Sequence, residues 1–283
     1  MLNFVNMSKK VNFFDLYIRK KFYTILSIIS TIETFILIGI NIETSYKIEA
    51  LCFNLLFIVV LYLGLWIKAN TLNNISITIN RSRIDIGFGN IFDKKGLKVI
   101  AFNEYFDTIV DNIIVSENTL NGKYLNILSD DDIKKLNNTM AHDHHLKKNI
   151  VDVNKKRKQG KKNKYKLGSI YKHGEFLLTA FSRFDDNDRA YLYISDLILC
   201  LLNFWDEIDI KNSGHTVCVP LLGTGITRLK EYIDISEQEL LEIILWTLKI
   251  SRIKITHPAR LCIVIHPDKI EKINLHKIKY LFG

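Results

Sequence analysis

Val219-Pro220-Leu221-Leu222-Gly223-Thr224-Gly225-Ile226-Thr227-Arg228 reads as a buried β-strand that runs into a loop with two glycines. Lacking Cβ atoms, Gly223 and Gly225 let consecutive main-chain N–H groups approach a phosphate unobstructed, and Thr224, Thr227 and Arg228 add donors. No Gly-Lys-Ser/Thr follows, so this is not a Walker motif, and the Rossmann glycine spacing is absent. A Gly-Thr-Gly turn alone is also a common tight connection, so the surrounding strands must decide between the two.

Those strands are legible. Ile75, Ile77 and Ile79, then Ile84 and Ile86, alternate, while Val99–Phe102, Phe176–Ala180, Val217–Leu222 and Leu261–Ile265 are short continuous apolar runs typical of buried strands. Helical periodicity separates them. Tyr191–Trp205 reads as a long apolar helix, and Ser236 with Glu239 forms a capping box for a helix to about Ile250, with Leu240, Leu241, Ile244, Leu245 and Leu248 as its buried stripe. Strands alternating with helices predict an α/β sheet covered on both faces, with ligands bound at loops beyond the strand ends. Two further loops of small or amide residues fall at such ends, Gly87-Phe88-Gly89-Asn90-Ile91-Phe92 and Ala101-Phe102-Asn103-Glu104-Tyr105-Phe106, and Leu120-Asn121-Gly122 is a candidate turn.

Ahead of this domain the pattern is continuous rather than alternating. FYTILSIISTIETFILIGINI (22–42) and ALCFNLLFIVVLYLGLWI (50–67) carry one charge between them, Glu33. As helices they would reach about 31 and 27 Å, close to the hydrocarbon thickness of a bilayer, and the short linker Glu43–Glu49 makes them a hairpin. About 20 residues precede the first run and a second span follows directly, which disfavours a cleaved signal peptide. Lys9, Lys10, Arg19, Lys20, Lys21 and Lys68 flank the hairpin, against Lys47 alone in its loop, so both termini are expected in the cytoplasm. Phe13, Phe14, Tyr17 and Ile18 among basic residues predict a tail lying along the inner leaflet. Glu33 at mid-span needs a partner, and Asn54 on the second span is the candidate, within the chain or across an oligomer.

The chain has 283 residues, 48% of them hydrophobic, with three prolines and 13 glycines, which excludes a disordered, Pro-rich or collagenous protein. Its four cysteines (Cys52, Cys200, Cys218, Cys262) form no ligand-spaced set. The formal net charge of +9 is concentrated in Lys147–Lys166, where ten Lys/Arg face one acid, Asp152. Almost without aromatic residues, that stretch makes a poor stacking platform for nucleic acid, leaving attraction to anionic headgroups or a solvated loop as its readings. His142-Asp143-His144-His145 resembles a metal cluster, but adjacent residues in a polar segment rarely close a coordination sphere, and a surface run is expected. Asp185, Asp186 and Asp188 form an acidic turn before a helix, read as stabilising that helix's N-terminus, with contact to a cationic group of a ligand as the alternative.

Taken in order, the turn Gly89-Asn90-Ile91-Phe92, the strand end VIAFNEYFDT (99–108), the Leu120-Asn121-Gly122 turn and VPLLGTGITR (219–228) resemble the macro domain of the transmembrane macro effectors of bacterial Thoeris antiphage defence. The two-span hairpin fits the same architecture. The resemblance implies a membrane domain over residues 1–70 and, over 71–283, a cytoplasmic macro-like three-layer α/β/α domain with a mixed sheet, into which 129–166 is inserted. It implies an ADP-ribose derivative as ligand, in this type a histidine conjugate, made by a partner TIR-domain enzyme. Binding would drive self-association in the bacterial inner membrane, membrane damage and arrest of the infected cell.

Carried over by motif, Asn90 and Ile91 would hold adenine, although macro domains commonly have Asp where this chain has Asn90. Asn103 would face the distal ribose, and Asn121 and Gly122 would lie along the diphosphate. Leu222, Gly223, Thr224, Gly225 and Ile226 would close over it from the other side, with Arg228 adjacent. No resident cofactor, catalytic residue or metal is expected. A membrane-tethered macro-type hydrolase is the alternative, against which the loops show no acid–base pair, and a constitutive adaptor using the basic stretch is a third reading.

Overall fold

The structure, a computed structural model, describes residues 10–40, 42–224, 228–229, 235–255 and 257–283. It divides into two compact units, one built from the chain up to Ile75 together with Glu271–Gly283 and the other from Ser76–Ile270.

In the first unit, helices α1 (Leu16–Gly39) and α2 (Lys47–Thr71) form a hairpin, each long and apolar enough to cross a membrane. Their side chains face outward: Phe35 is 73% exposed and Ile38 77%, an apolar surface that a core helix of a soluble protein does not present. Asn54 Nδ2 donates to Glu33 Oε1 at 3.0 Å, so the one carboxyl within the apolar run of α1 has its partner within the chain.

At the base of the hairpin the tail is not a separate amphipathic helix. It folds onto α2, with Val11 N–H bonded to Asn70 Oδ1 (3.0 Å), Trp66 Nε1 to the Val11 carbonyl (3.1 Å) and Tyr62 Oη to the Phe13 carbonyl (2.5 Å). Asp15 then caps α1, its carboxylate accepting from the N–H groups of Tyr17 and Ile18. The C-terminal helix Leu275–Phe282 belongs here too: the Tyr17 and Tyr280 rings lie 5.2 Å apart and Asn274 Nδ2 reaches Asp15 Oδ2 at 3.2 Å.

The second unit is an α/β fold. In chain order it runs β1 (Asn74–Ile79), β2 (Ser82–Phe88), β3 (Leu97–Asn103), α3 (Leu120–Leu125), α4 (Asp130–His142), α5 (His144–Lys148), β4 (Ile150–Val153), β5 (Asn163–Tyr165) and β6 (Ile170–His173). There follow β7 (Phe176–Phe184), β8 (Ala190–Leu192), α6 (Ile194–Lys211), β9 (Val217–Pro220), β10 (Arg228–Leu229), α7 (Glu237–Ser251) and β11 (Leu261–Ile265). Among the described residues the main sheet has nine strands in the order β1-β2-β11-β9-β3-β7-β8-β10, with β6 paired to β7. Strands β2, β11, β9, β3 and β7 are mutually parallel, while β8 and β6 run antiparallel to β7.

Strands β3 and β7 are buried at nearly every position because helices cover both faces. Ile100, Phe102, Leu178 and Ala180 pack with Tyr124, Leu125, Leu136 and Met140 of α3 and α4. On α6 and α7, Trp205 Nε1 bonds Thr247 Oγ1 at 3.1 Å, and the Ser236–Glu239 capping box is present as expected.

Three expectations are corrected. Tyr191 and Leu192 lie in β8, and helix α6 begins only at Ile194 and runs on to Lys211. The basic stretch Lys147–Lys166 is not a solvated loop: Arg157 and Tyr165 are buried, Tyr165 shares one core cluster with Leu136, Met140, Leu146, Phe102 and Tyr124, and β4–β5 form a small sheet of their own. Asp185–Asp188 form the β7–β8 turn and do not serve a helix N-terminus, since the first turn of α6 has its own acid, Asp196.

Candidate functional site

The C-terminal ends of β2, β11, β9, β3 and β7 open onto one cleft of about 800 Å3. Strands in a sheet lie about 4.8 Å apart, so from β2 to β7, four steps, the cleft spans about 19 Å. It suits an elongated ligand. Asn90 and Ile91 line one end, Asn103 and the β7–β8 turn line the other, and Asn121, Leu222, Gly223 and Thr224 lie on the walls between.

The loop after β9 supplies the anion-binding character. Leu221 N–H is bonded to the Val264 carbonyl at 3.2 Å, the last ladder contact of the strand. Beyond it, among the described residues, the main-chain N–H groups of Leu222, Gly223 and Thr224 donate to nothing. Gly223 has φ +88°, the left-handed region that favours glycine, and Thr224 Oγ1 holds the turn by donating to the Leu221 carbonyl at 3.0 Å. Unpaired main-chain donors are costly unless water or a ligand accepts from them, so three in succession at a cleft wall mark a site for acceptor oxygens. Gly225, Ile226 and Thr227 lie outside the described residues, as does Lys9; Arg228 is placed by its backbone in β10.

Asn121 also lines the cleft. It is only 7% exposed, and among the described residues its Oδ1 has no hydrogen-bond partner. A buried acceptor in that state calls for an N–H or O–H donor, not a phosphate oxygen. Gly122 does not line the cleft: its N–H is held by Thr119 Oγ1 at 3.0 Å, and its α-carbon sits so tightly that a Cβ would fall 2.2 Å from the Ser116 carbonyl oxygen. Its place along a diphosphate is therefore withdrawn.

The two asparagines at the ends are occupied by their own loops. Asn90 Oδ1 accepts from Phe92 N–H at 3.2 Å, which engages the carbonyl assigned to an adenine amino group. Asn103 Oδ1 accepts from the N–H groups of Tyr105 (3.0 Å) and Asp107 (3.2 Å), and Nδ2 donates to Asp107 Oδ2 (2.9 Å). Among the described residues Asn103 Nδ2 makes this one bond, so its second hydrogen is uncommitted in a residue that lines the cleft.

The remaining candidates disperse. His142 bonds the Asn138 carbonyl, Asp143 caps α5, and His145 Nε2 meets both Glu207 oxygens at 2.9 Å. Among the described residues no three or more His, Cys, Asp or Glu side chains come together as a set that could hold a metal ion.

The residues missed from sequence lie in the basic stretch. Arg157 is 9% exposed, with Nη1 2.7 Å from Asp107 Oδ2, and with Nε and Nη2 3.0 and 2.8 Å from Asp188 Oδ1. Lys161 donates from Nζ to the Phe106 carbonyl at 2.7 Å, and burial pushes its pKa down to about 8. The signal was present: Arg157 is the one arginine among the ten cations of Lys147–Lys166, and only arginine offers a planar fork to two carboxylates.

Comparison with known proteins gives two kinds of match. The chain matches the family described as Thoeris protein ThsA, Macro domain, over residues 84–266. A Thoeris protein ThsA from Bacillus amyloliquefaciens (strain Y2) is 39% identical over 264 residues, covering 90% of this chain and 87% of that protein. Among solved structures, a mutant macrodomain from Oceanobacillus iheyensis aligns with a TM-score of 0.48 at 13% identity over 74% of this chain and 98% of that one. The same macrodomain with ADP aligns with a TM-score of 0.48 at 14% identity over 74% and 96%.

Proposed function

Since the chain belongs to the Thoeris ThsA macro-domain family, we propose that it is a membrane-anchored antiphage effector whose cleft binds an ADP-ribose derivative, possessing two functional parts in one polypeptide. The observation that carries the ligand is the run of unpaired N–H groups at Leu222, Gly223 and Thr224 in a cleft long enough for a dinucleotide-like molecule. The diphosphate accepts from these amides. The adenosine lies toward Asn90 and Ile91, and the distal ribose toward Asn103, with Asn121 Oδ1 accepting from a hydroxyl or amine of the ligand.

The signal is made by a TIR-domain partner enzyme, and a histidine conjugate of ADP-ribose is one form it takes. The hairpin crosses the bacterial inner membrane with both termini in the cytoplasm, an orientation supported by Lys10, Arg19, Lys20, Lys21 and Lys68 outside the spans. Ligand binding favours a self-associated state of the hairpins that damages the membrane and arrests the infected cell. The shift in that equilibrium is bounded by the difference in ligand affinity between the two states.

The test is calorimetric titration of the full-length protein in lipid nanodiscs with ADP-ribose and its derivatives. Saturable binding supports the reading, and no heat with any of them contradicts it. A hydrolase reading draws on the His266–Asp268 contact of 3.2 Å at the cleft rim, but both side chains are exposed. Free ADP-ribose released from an ADP-ribosylated substrate would favour it.

A further inference from the structure

We propose that Arg157 is the positioning residue of the far end of the cleft, carried there by the basic insertion so that this end reads the terminal ribose of the ligand and the group it bears. The inference rests on the reading that the cleft takes an ADP-ribose derivative with its adenosine at Asn90.

A chain of contacts joins two walls of the cleft. Asp188, in the β7–β8 turn, and Asn103, at the end of β3, both line the cleft. Arg157 grips Asp188 Oδ1 with Nε and Nη2 (3.0 and 2.8 Å) and Asp107 Oδ2 with Nη1 (2.7 Å); Asp107 Oδ2 in turn accepts from Asn103 Nδ2 at 2.9 Å. The guanidinium is further fixed by the Lys161 carbonyl, 2.9 Å from Nη1, and by the Tyr105 ring, whose centroid is 4.0 Å from Cζ. Asp107 is 0% exposed, so the cation that neutralises it cannot be exchanged for solvent at no cost.

The backbone is shaped to admit this clamp. Gly160 has φ +77°, and a Cβ there would lie 2.5 Å from Asp107 Oδ1. Phe106 (φ +54°) and Asp188 (φ +56°) are non-glycine residues in the left-handed region, a conformation that persists where the surroundings hold it. Held this way, and among the described residues, Asn103 keeps one amide hydrogen and Asp188 keeps Oδ2 uncommitted. One donor and one anionic acceptor suit hydroxyl or amine groups and repel phosphate, which is the chemistry of a terminal sugar and not of the diphosphate.

ADP and ADP-ribose separate the two ends, since they share adenosine and diphosphate and differ in the terminal ribose. Both are titrated into the full-length protein in nanodiscs, as wild type, Arg157→Gln and Asp188→Asn, with melting temperatures recorded alongside. The wild type is expected to bind ADP-ribose at least tenfold tighter than ADP. Arg157→Gln should lower that ratio tenfold or more, and Asp188→Asn, which leaves Asp107 and Arg157 paired, should lower it by a smaller factor. An unchanged ratio in both variants, or equal weakening of both ligands in Arg157→Gln with no change of ratio in Asp188→Asn, overturns the inference while the functional reading stands. Wild-type protein that binds neither nucleotide overturns both.

Discussion

At the scale of single residues, Gly223 and Lys161 make opposite demands. Gly223 lies at φ +88°, where a side chain costs about 1–2 kcal/mol, and a Cβ would meet Leu240 Cδ2 at 3.3 Å. Gly223→Val is therefore expected to lower the melting temperature by a few degrees and to weaken ADP-ribose binding at least tenfold, because it tilts the amides of residues 222–224; calorimetry and a thermal melt read the two effects separately. Lys161 tests the buried insertion. Burial depresses its pKa from 10.5 to about 8, so below that pH both folded and unfolded chains carry the proton and the cost of burying the ammonium is felt in full. As pH rises from about 8 to about 10 the folded state gives up the proton first, the unfolded state binds more protons, and stability climbs. Lys161→Met should remove that climb, seen as a flatter melting temperature against pH than in the wild type. Lys161 does not stand out in a run of cations, and Arg157 does so only as the one arginine, since composition records charge and is silent on burial. What the Arg157 fork holds becomes visible only once Asp107 and Asp188, far apart in sequence, are brought together.

The elements most clearly readable from sequence are those whose signals are local. The Ser236–Glu239 capping box starts α7 where it is written, and Ser236→Ala is expected to cost about 0.5–2 kcal/mol, measured as a fall in the denaturation midpoint. The two long apolar helices α1 and α2 are similarly legible, because length and apolarity alone mark them. Removing the polar contact between them by Asn54→Leu is expected to weaken hairpin association by about 0.6–2 kcal/mol and to shift the electrophoretic or exchange behaviour of the hairpin in detergent, and unchanged behaviour would make the 3.0 Å contact to Glu33 incidental. Less legible is whatever depends on partners distant in the chain. Tyr191 and Leu192 carry a helical pattern but are drawn into β8 by β7 and β10. The Ser129–Lys166 stretch reads as polar because Leu136, Met140, Leu146 and Tyr165 are spaced too widely to announce a core, and it is their meeting with Phe102 and Tyr124 that makes one.

For the whole molecule, the strand ends place Asn90, Asn103 and the Leu222–Thr224 loop around one cleft, an arrangement that followed from the alternation of strands and helices, while Asn121 joins them from α3. Side-chain commitments did not follow: Asn90 and Asn103 spend their carbonyls on their own loops, and Gly122 has its amide capped by Thr119. Grouping of Glu271–Gly283 with the hairpin also escaped sequence, since an eight-residue amphipathic helix could pack on either unit. Ligand binding as proposed requires that the main-chain amides of Leu222–Thr224, unpaired among the described residues, receive a diphosphate. Hydrogen exchange at single-residue resolution, on the full-length protein in nanodiscs with and without ADP-ribose, reads those amides directly. Slowed exchange at Leu222, Gly223 and Thr224 on adding ADP-ribose is the predicted result, and saturating ligand that leaves these three amides exchanging as in the free protein would contradict it.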